Sequence, residues 1–287
     1  MNQKMNFDTK PKYKSILDAE YGVYTYTAEN GEIFDLPYRV HYPSGYDPKG
    51  NTSYPILFFL HGHGECGTEN TKQLQVLNMP NKLLDDLVSM DTCVILAPQT
   101  YCDGATNVAE WIATGTGREG LHVWDGLSLV DGKGGMPVRR EKLCDLTYTV
   151  GLQAASALLD AFLTHDTIDK KRVYIGGISM GGCGTWEMLA RRPETFAAAV
   201  PVCGSGILDA AATLTDVAIW AFHGDVDATI RPEGSELMVA AIKAAGGNAT
   251  YTAFKGVGHS VWDHAYRAKN EEGRTAAEWL LAQAKAD

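Results

Sequence analysis

The sequence lacks an excess of positive charge, long apolar runs and closely spaced cysteines, and each absence argues against a class of protein. The net charge is −10 and no basic stripe is visible, so we expect neither nucleic acid nor an anionic membrane as a partner. No stretch approaches the ~18 consecutive apolar residues of a membrane-spanning helix. The six cysteines have no C-x-x-C spacing, which disfavours zinc and redox dithiol sites. We therefore expect no metal and no cofactor.

The sequence also lacks a visible export signal. Residues Met1 to Glu20 are polar and have no apolar signal-peptide core, so the chain as written is expected to be cytoplasmic. A removed leader would leave the same appearance, and secretion stays open as an alternative. Cys93 and Cys203 lie in apolar strand-like runs and are expected to be buried, whereas Cys66 and Cys102 fall in loops where a disulfide could join them.

Repeats, low-complexity tracts and linkers are absent too, and the length of 287 residues predicts a single α/β domain over residues 1–287. Alternating patterns at 21–27 and 36–42 predict antiparallel strands, and later apolar runs predict a parallel sheet. Helical periodicity is found at 147–164, 232–245 and 271–286. This alternation indicates a mostly parallel, doubly wound sheet with helices on both faces. Its apolar strand candidates are 54–60, 92–97, 173–176, 198–202 and 217–222, followed by 249–254.

One glycine-rich turn is the strongest indication of an active site in the sequence. Gly177-Ile178-Ser179-Met180-Gly181 fits the G-x-S-x-G nucleophile elbow and lies between an apolar strand-like run and a helix-like run over 186–192. A Cβ at either glycine is expected to collide with neighbouring backbone. The pattern alone is common, but its strand-turn-helix context predicts that Ser179 is a nucleophile.

The other parts of a serine hydrolase site follow predicted strands. Two oxyanion donors are assigned to the backbone N–H groups of His63 and Met180. Either Asp225 or Asp227 can orient the base, and His259, in the loop behind the last strand, is the base. The order Ser, Asp, His is that of the α/β-hydrolases.

Residues 99–144 interrupt the alternation of strands and helices. This segment has many glycines and little periodicity, and it is interpreted as an insertion near the active site. Its Trp111 and Trp124, together with Trp262 near the C-terminus, are predicted to bind substrate. An equal alternative is that the tryptophans of the insertion fill a small core of their own.

Several phrases of the sequence resemble the predicted peptidase or phospholipase/carboxylesterase branch of the α/β-hydrolases. This branch is similar to the feruloyl and acetylxylan esterases of carbohydrate esterase family 1 and to polyhydroxybutyrate depolymerases. The resemblance implies the α/β-hydrolase fold and Asp227 as the acid. It also implies that Glu65 braces the oxyanion loop, which is the segment over residues 60–67. It does not cover the long segment 99–144. The phrases are Leu60-His-Gly-x-Gly-Glu-x-Gly67, Gly177-Ile-Ser-Met-Gly-Gly-x-Gly-Thr-Trp-Glu187, Ala199-Val-Pro-Val-Cys-Gly204, Trp220-Ala-Phe-His-Gly-x-x-Asp227 and Gly256-x-Gly-His259.

The function predicted from these residues is that of a serine carboxylesterase. Its expected substrates are small-molecule or polysaccharide esters, in particular acetyl or feruloyl esters of plant polysaccharides, by analogy with the similar families. A serine peptidase or a short-polyester depolymerase is the enzymatic alternative. The alternative that is not an enzyme is a non-catalytic binding module with the same fold.

Overall fold

A computed structural model describes residues 15–102, 110–113 and 135–286. The central element is an eight-stranded sheet with the strand order β1-β2-β6-β3-β7-β8-β9-β10, in which the first two pairings are antiparallel and the others are parallel. A separate two-stranded hairpin is formed by β4 and β5. The predicted antiparallel N-terminal strands and parallel centre are therefore confirmed. The strands are β1 (Glu20–Thr27), β2 (Ile33–His41), β3 (Tyr54–Leu60), β4 (Gln75–Val76), β5 (Met79–Pro80), β6 (Val94–Pro98), β7 (Ile168–Ile178), β8 (Ala198–Val202), β9 (Ala218–Gly224) and β10 (Ala249–Phe254).

Helices cover both faces of the sheet, as predicted. The apolar side chains of α2, α3 and α4 pack into one core, and those of α1, α5 and α6 pack into the core on the other face. The inner strands are buried along nearly their whole length because both faces are covered. The helices are α1 (Lys82–Met90), α2 (Val150–Leu163), α3 (Met180–Arg191), α4 (Glu233–Ala244), α5 (Trp262–Arg267) and α6 (Ala276–Leu281).

The structure differs from the sequence prediction near the C-terminus. The helix predicted over 271–286 is only the six residues of α6. It begins late because Gly273 adopts a φ of +79° in a turn, after which Thr275 caps the helix by accepting a hydrogen bond from the Glu278 N–H. The β4–β5 hairpin and the helices α1 and α5 were not among the predicted elements.

All six parallel strands end at the same edge of the sheet, and the predicted site residues lie in the loops or turns after four of them. These are β3, β7, β9 and β10, which end at Leu60, Ile178, Gly224 and Phe254. In open α/β sheets, side chains that bind ligands are found at this edge. Among residues 15–102, 110–113 and 135–286, no helix has both the length and the apolar character needed to cross a membrane.

Candidate active site

Ser179 lies in a tight turn between β7 and α3. Its φ is +54°, a backbone conformation that is unfavourable for a residue with a side chain. The turn depends on glycines. A Cβ at Gly177 would lie 2.4 Å from the Gly181 carbonyl oxygen, and one at Gly181 would lie 2.0 Å from the Leu60 carbonyl oxygen. The steric reason predicted for both glycines is confirmed.

The Ser179 side chain forms a hydrogen bond with the imidazole of His259. Although Ser179 occupies the N-cap position of α3, its hydroxyl does not cap the helix. Its Oγ lies 2.8 Å from His259 Nε2, and His259 Nδ1 lies 2.7 Å from Asp227 Oδ2. An ionised carboxylate only accepts hydrogen bonds, so Nδ1 carries the proton and Nε2 accepts from the serine hydroxyl. The three side chains form one directed series of hydrogen bonds.

Asp227 is held by several donors in addition to His259. Its Oδ1 accepts from the backbone N–H groups of Thr229 at 2.8 Å and Ile230 at 3.1 Å, and His223 Nε2 lies 3.2 Å from its Oδ2. Burial opposes ionisation, but the hydrogen bonds from His223, His259 and the Thr229 amide outweigh it and hold the pKa of Asp227 well below its usual value. The carboxylate is therefore ionised at neutral pH and fixed in position.

Asp225, the alternative acid, lies in a different environment. It is exposed, and its Oδ1 accepts a hydrogen bond from the Gly256 N–H at 2.6 Å. This contact joins the loop after β9 to the loop that carries His259. Asp225 thus stabilises the loop, whereas Asp227 contacts the imidazole.

His223 is a member of the site that the sequence reasoning missed. It is fully buried, with Nε2 2.9 Å from the Ile230 carbonyl oxygen and Nδ1 2.9 Å from Ser235 Oγ. Its Nε2 therefore approaches the same carboxylate oxygen of Asp227 as His259 Nδ1 does. Its place in the sequence, four residues before Asp227 at the end of an apolar strand, is the signal that could have identified it.

The two predicted oxyanion donors begin helical turns beside Ser179. Met180 is the first residue of α3, and His63 is the first residue of a short 3₁₀ turn over His63–Glu65. N–H groups in the first turn of a helix have no acceptor within that helix, and the helix dipole favours negative charge there. Gly62, His63 and Ser179 line the same cavity. The N–H groups of His63 and Met180 remain the predicted oxyanion donors.

A buried histidine supports the loop that carries His63. His61 Nε2 accepts from the Thr100 N–H at 3.0 Å, so Nδ1 carries the proton and donates to the Gly62 carbonyl at 2.7 Å. Burial lowers the pKa of His61 to about 4, so its imidazole is neutral at neutral pH. His61 therefore acts as a bridge between the oxyanion loop and the chain that follows β6.

Trp111 corrects one prediction of a substrate-binding residue. Its side chain is fully buried, its Nε1–H donates to the His61 carbonyl at 3.1 Å, and its ring packs against the His61 imidazole. A large apolar ring with a single N–H donor is more stable in this position than at the surface. Trp111 supports the oxyanion loop from beneath and does not form part of the cavity wall.

Glu65 also lies in the oxyanion loop. Burial raises the pKa of its carboxyl group, and backbone hydrogen bonds from Gly62 and from Glu65 itself partly offset this effect. Gln99 Nε2 donates to the Glu65 carbonyl at 2.9 Å. These contacts fit the bracing role that the family resemblance implied.

A cavity of about 300 Å³ opens above Ser179 and His259. Its apolar walls are formed by Leu77, Ile178 and Trp262. Trp262 contacts His259 edge to face, with 6.2 Å between the ring centroids, so the predicted substrate-binding tryptophan of the C-terminal region does lie at the cavity. Trp124 lies outside the described residues. Leu77, at the tip of the β4–β5 hairpin, was missed because no periodicity marks a two-residue strand.

The arrangement has the chemical parts of acyl transfer: a hydroxyl, a base that accepts its proton, a carboxylate that orients the base, and amides at a helix start. Among the described residues, the single group of three metal-ligating side chains is His63, Cys66 and Cys102. Cys66 and Cys102 form a disulfide with a Cα–Cα distance of 5.9 Å, so the bridge left open by their loop positions is present.

Comparison with known families gives a match within the centre of the chain. Residues 149–221 match the prolyl oligopeptidase family. A bifunctional acetylxylan esterase/xylanase from Neocallimastix patriciarum is 32% identical over 83 residues, which are 29% of this chain and 12% of that protein. The match therefore spans only a small part of the curated relative.

Comparison with solved structures extends over most of the chain. A thermostable esterase superposes with a TM-score of 0.71 at 28% identity, covering 94% of this chain and 64% of that one. An acylaminoacyl peptidase from Pyrococcus horikoshii superposes with a TM-score of 0.55 at 14% identity, covering 86% of this chain and 38% of that one. These neighbours and the observed sheet order confirm the predicted α/β-hydrolase fold.

Proposed function

We propose that this chain, which belongs to the α/β-hydrolase superfamily, is a serine hydrolase that cleaves carboxylic esters through an acyl-enzyme. The observation that carries the proposal is the hydrogen-bonded series from Ser179 Oγ to His259 Nε2 at 2.8 Å and from His259 Nδ1 to Asp227 Oδ2 at 2.7 Å. A serine hydroxyl is a weak nucleophile unless a base within hydrogen-bond distance accepts its proton. The series supplies that base and orients it.

In the proposed reaction, Ser179 Oγ attacks the ester carbonyl carbon while its proton passes to His259 Nε2. The carbonyl oxygen becomes an oxyanion that the N–H groups of His63 and Met180 stabilise. When the tetrahedral intermediate collapses, the bond to the alcohol oxygen breaks and His259 returns the proton to that oxygen. Water then attacks the acyl-enzyme by the same steps, which releases the acid and restores Ser179.

Asp227 keeps its negative charge throughout this cycle. It holds His259 in the tautomer that leaves Nε2 free to accept the proton, and it stabilises the imidazolium that forms. The four donors around its carboxylate explain why it need not be protonated during turnover. The apolar part of the cavity wall then receives the acyl or alcohol group of an uncharged substrate.

Acetyl or feruloyl esters of plant polysaccharides are the substrates that we propose. The partial similarity to an acetylxylan esterase/xylanase and the overall similarity to a thermostable esterase support this class. Leu77, Ile178 and Trp262 provide apolar surface beside Ser179, and the aromatic face of Trp262 suits a sugar or a cinnamoyl ring. The cavity volume of about 300 Å³ is at the lower end of the range for small-molecule sites.

A peptidase is the second candidate, and the match of residues 149–221 to the prolyl oligopeptidase family favours it. That match includes Ser179 but neither Asp227 nor His259. Peptide hydrolysis requires protonation of an amine leaving group, which the same histidine can provide. Turnover of a fluorogenic peptide without turnover of any simple ester would favour this alternative, and the absence of both activities would favour a binding module.

The test is hydrolysis of methyl ferulate beside p-nitrophenyl acetate, with the Ser179→Ala protein as the blank. We expect Ser179→Ala to lower kcat by about 10⁶-fold, by comparison with a serine protease whose nucleophile is removed. Ferulate turnover comparable to acetate turnover would identify an aromatic acyl site, and acetate turnover alone would identify a small one. Equal rates for the wild-type and Ser179→Ala proteins would contradict the proposed mechanism.

A further inference from the structure

The oxyanion loop carries a sulfur-rich cluster that the proposed hydrolysis does not use. Cys66 closes the 3₁₀ turn that begins at His63, and its disulfide partner Cys102 lies beyond the end of β6. Cys102 Sγ is 3.4 Å from His63 Nδ1. His63 therefore supplies a predicted oxyanion donor through its backbone amide and a member of the cluster through its imidazole.

The three side chains lie close enough together to share one metal ion once the disulfide is opened. One ligand atom from each of His63, Cys66 and Cys102 lies within 4.8 Å of the other two. Metal–sulfur bonds of about 2.3 Å and metal–nitrogen bonds of about 2.0 Å place the ligand atoms of a tetrahedral site at such separations. The residue spacing in the sequence gave no sign of this cluster, because the fold brings Cys102 to Cys66 across 36 residues.

The charge beside the cluster also suits a cation. Glu110 is 2% exposed, and its Oε1 lies 4.0 Å from His63 Nδ1. Glu110 Oε1 and Cys102 Sγ both lie near His63 Nδ1, so a carboxylate at this position attracts a cation bound to that nitrogen. Two thiolates and one imidazole form a soft ligand set, which selects Zn²⁺ and Cd²⁺ over Mg²⁺ and Ca²⁺.

The disulfide must be reduced before the sulfur atoms can bind a metal. A dithiol reductant supplies two electrons: its own sulfurs become a disulfide, the Cys66–Cys102 bond breaks, and two thiols form. A divalent cation then displaces the two thiol protons and forms two metal–sulfur bonds, a step in which nothing is oxidised or reduced. Reducing compartments keep such pairs as thiols, and oxidising compartments keep them as disulfides.

We propose that the reduced protein binds one thiophilic divalent cation through His63, Cys66 and Cys102, and that the bound cation inhibits hydrolysis. The inhibition rests on the proposed function. The two bonded sulfur atoms must separate to coordinate the cation, so Cys66 shifts at one end of the 63–66 turn while the His63 imidazole is bound at the other. This rearrangement displaces the His63 amide. Displacing one oxyanion donor lowers kcat by about 10²-fold or more.

Cadmium titration of the dithiol-reduced protein, followed by the ultraviolet sulfur-to-cadmium charge-transfer band, tests the site without using activity. We expect saturation at one Cd²⁺ per chain, competition by Zn²⁺, and loss of the band in the Cys66→Ser and Cys102→Ser proteins. His63→Ala should weaken Cd²⁺ binding by about tenfold or more. Cys144→Ser is the matched control, because Cys144 is an exposed thiol outside the cluster, and it should keep the full band.

Three results would overturn the proposed site: no charge-transfer band in the reduced protein, an equal band in the oxidised protein, or a band that survives Cys66→Ser. In parallel, hydrolysis of p-nitrophenyl acetate by the reduced protein should fall by about 10²-fold with Cd²⁺ and recover with a chelator. A band without inhibition would overturn the coupling between site and catalysis. An oxidised protein that hydrolyses no ester would refute the proposed function and leave the spectroscopic result standing.

Discussion

The site has an acid side, formed by Asp227 and the loop after β9, and an oxyanion side, formed by the loop after β3. Different kinds of contact position the residues on the two sides. On the acid side, Asp227 is bonded by residues close to it in sequence: the amides of Thr229 and Ile230, and the imidazole of His223. The donors to the Asp227 carboxylate therefore come mainly from nearby residues, although the loop after β9 is also joined to the loop of His259 by the contact of Asp225 with the Gly256 N–H. Only the bond to His259 comes from a distant segment.

On the oxyanion side, the loop after β3 depends on distant segments. Thr100 donates to His61, Gln99 donates to the Glu65 carbonyl, and Trp111 donates to the His61 carbonyl. The disulfide from Cys66 adds a covalent link to the same region. The ionised state of Asp227 is therefore set mainly by nearby residues, whereas the position of one predicted oxyanion donor, the His63 amide, is set by the residues that follow β6.

Replacement of Asp227 on the acid side should lower kcat more than replacement of any support on the oxyanion side. We expect Asp227→Asn to lower kcat by about 10⁴-fold, because an amide in place of the carboxylate no longer holds the required His259 tautomer. Asp225→Asn is the matched control and should change kcat little, because Asp225 is exposed and contacts the Gly256 amide. Steady-state kinetics on p-nitrophenyl acetate measure both. A larger loss in Asp225→Asn would reverse the assignment of the acid.

Removal of a distant support should have a smaller effect on the oxyanion side. We expect Trp111→Phe to lower kcat by about ten- to a hundredfold, because the His61 carbonyl loses its donor and the loop shifts. Trp220→Phe is the matched control. Trp220 donates to Thr252 in the core on the other face of the sheet.

Both tryptophan variants should lose about 1–2 kcal/mol of unfolding free energy in urea, since Trp111→Phe leaves the buried His61 carbonyl without its donor and Trp220→Phe removes a hydrogen bond to the half-buried Thr252 hydroxyl. Only Trp111→Phe should also lose kcat. Equal kcat values for the two variants would show that the oxyanion loop does not depend on this support.

The pH dependence of stability gives the smallest effect. The folded-state pKa of His61 is lowered by burial to about 4 from 6.5, so the unfolded chain binds the additional proton between these values. The contribution of the neutral His61 to the free energy of unfolding is then fully present above pH 6.5, and it is lost as the pH falls toward 4. At pH 5 the loss from this histidine should be about 2 kcal/mol relative to pH 7. Urea unfolding at both pH values measures it, and His61→Gln should show a smaller difference. An unchanged difference in that variant would contradict the role of His61.

The parts of the site that were predictable from the sequence are those with local causes. The elbow at Ser179 was predictable because its glycines remove steric collisions within the same turn. The parallel strands were predictable from continuous apolar runs. The sequence order Ser, Asp, His placed His259 behind the last strand, where the structure brings it to Ser179.

The parts that sequence reasoning missed have distant causes. Trp111 was assigned to substrate because its segment has no periodicity, and only the folded chain shows it beneath His61. The approach of Cys102 to His63 depends on the order of β3 and β6 in the sheet, which residue spacing does not contain. Leu77 reaches the cavity through a hairpin whose two strands have two residues each, too short for a pattern.

Covalent labelling gives a direct test of whether His259 and Asp227 activate Ser179 as a nucleophile. The protein is treated with a fluorophosphonate, which reacts with activated serines, and the modified peptide is identified by mass spectrometry. We expect one adduct per chain at Ser179, none in Ser179→Ala, and much slower labelling in Asp227→Asn. Absence of an adduct in the wild-type protein, or an adduct at another serine, would contradict this activation.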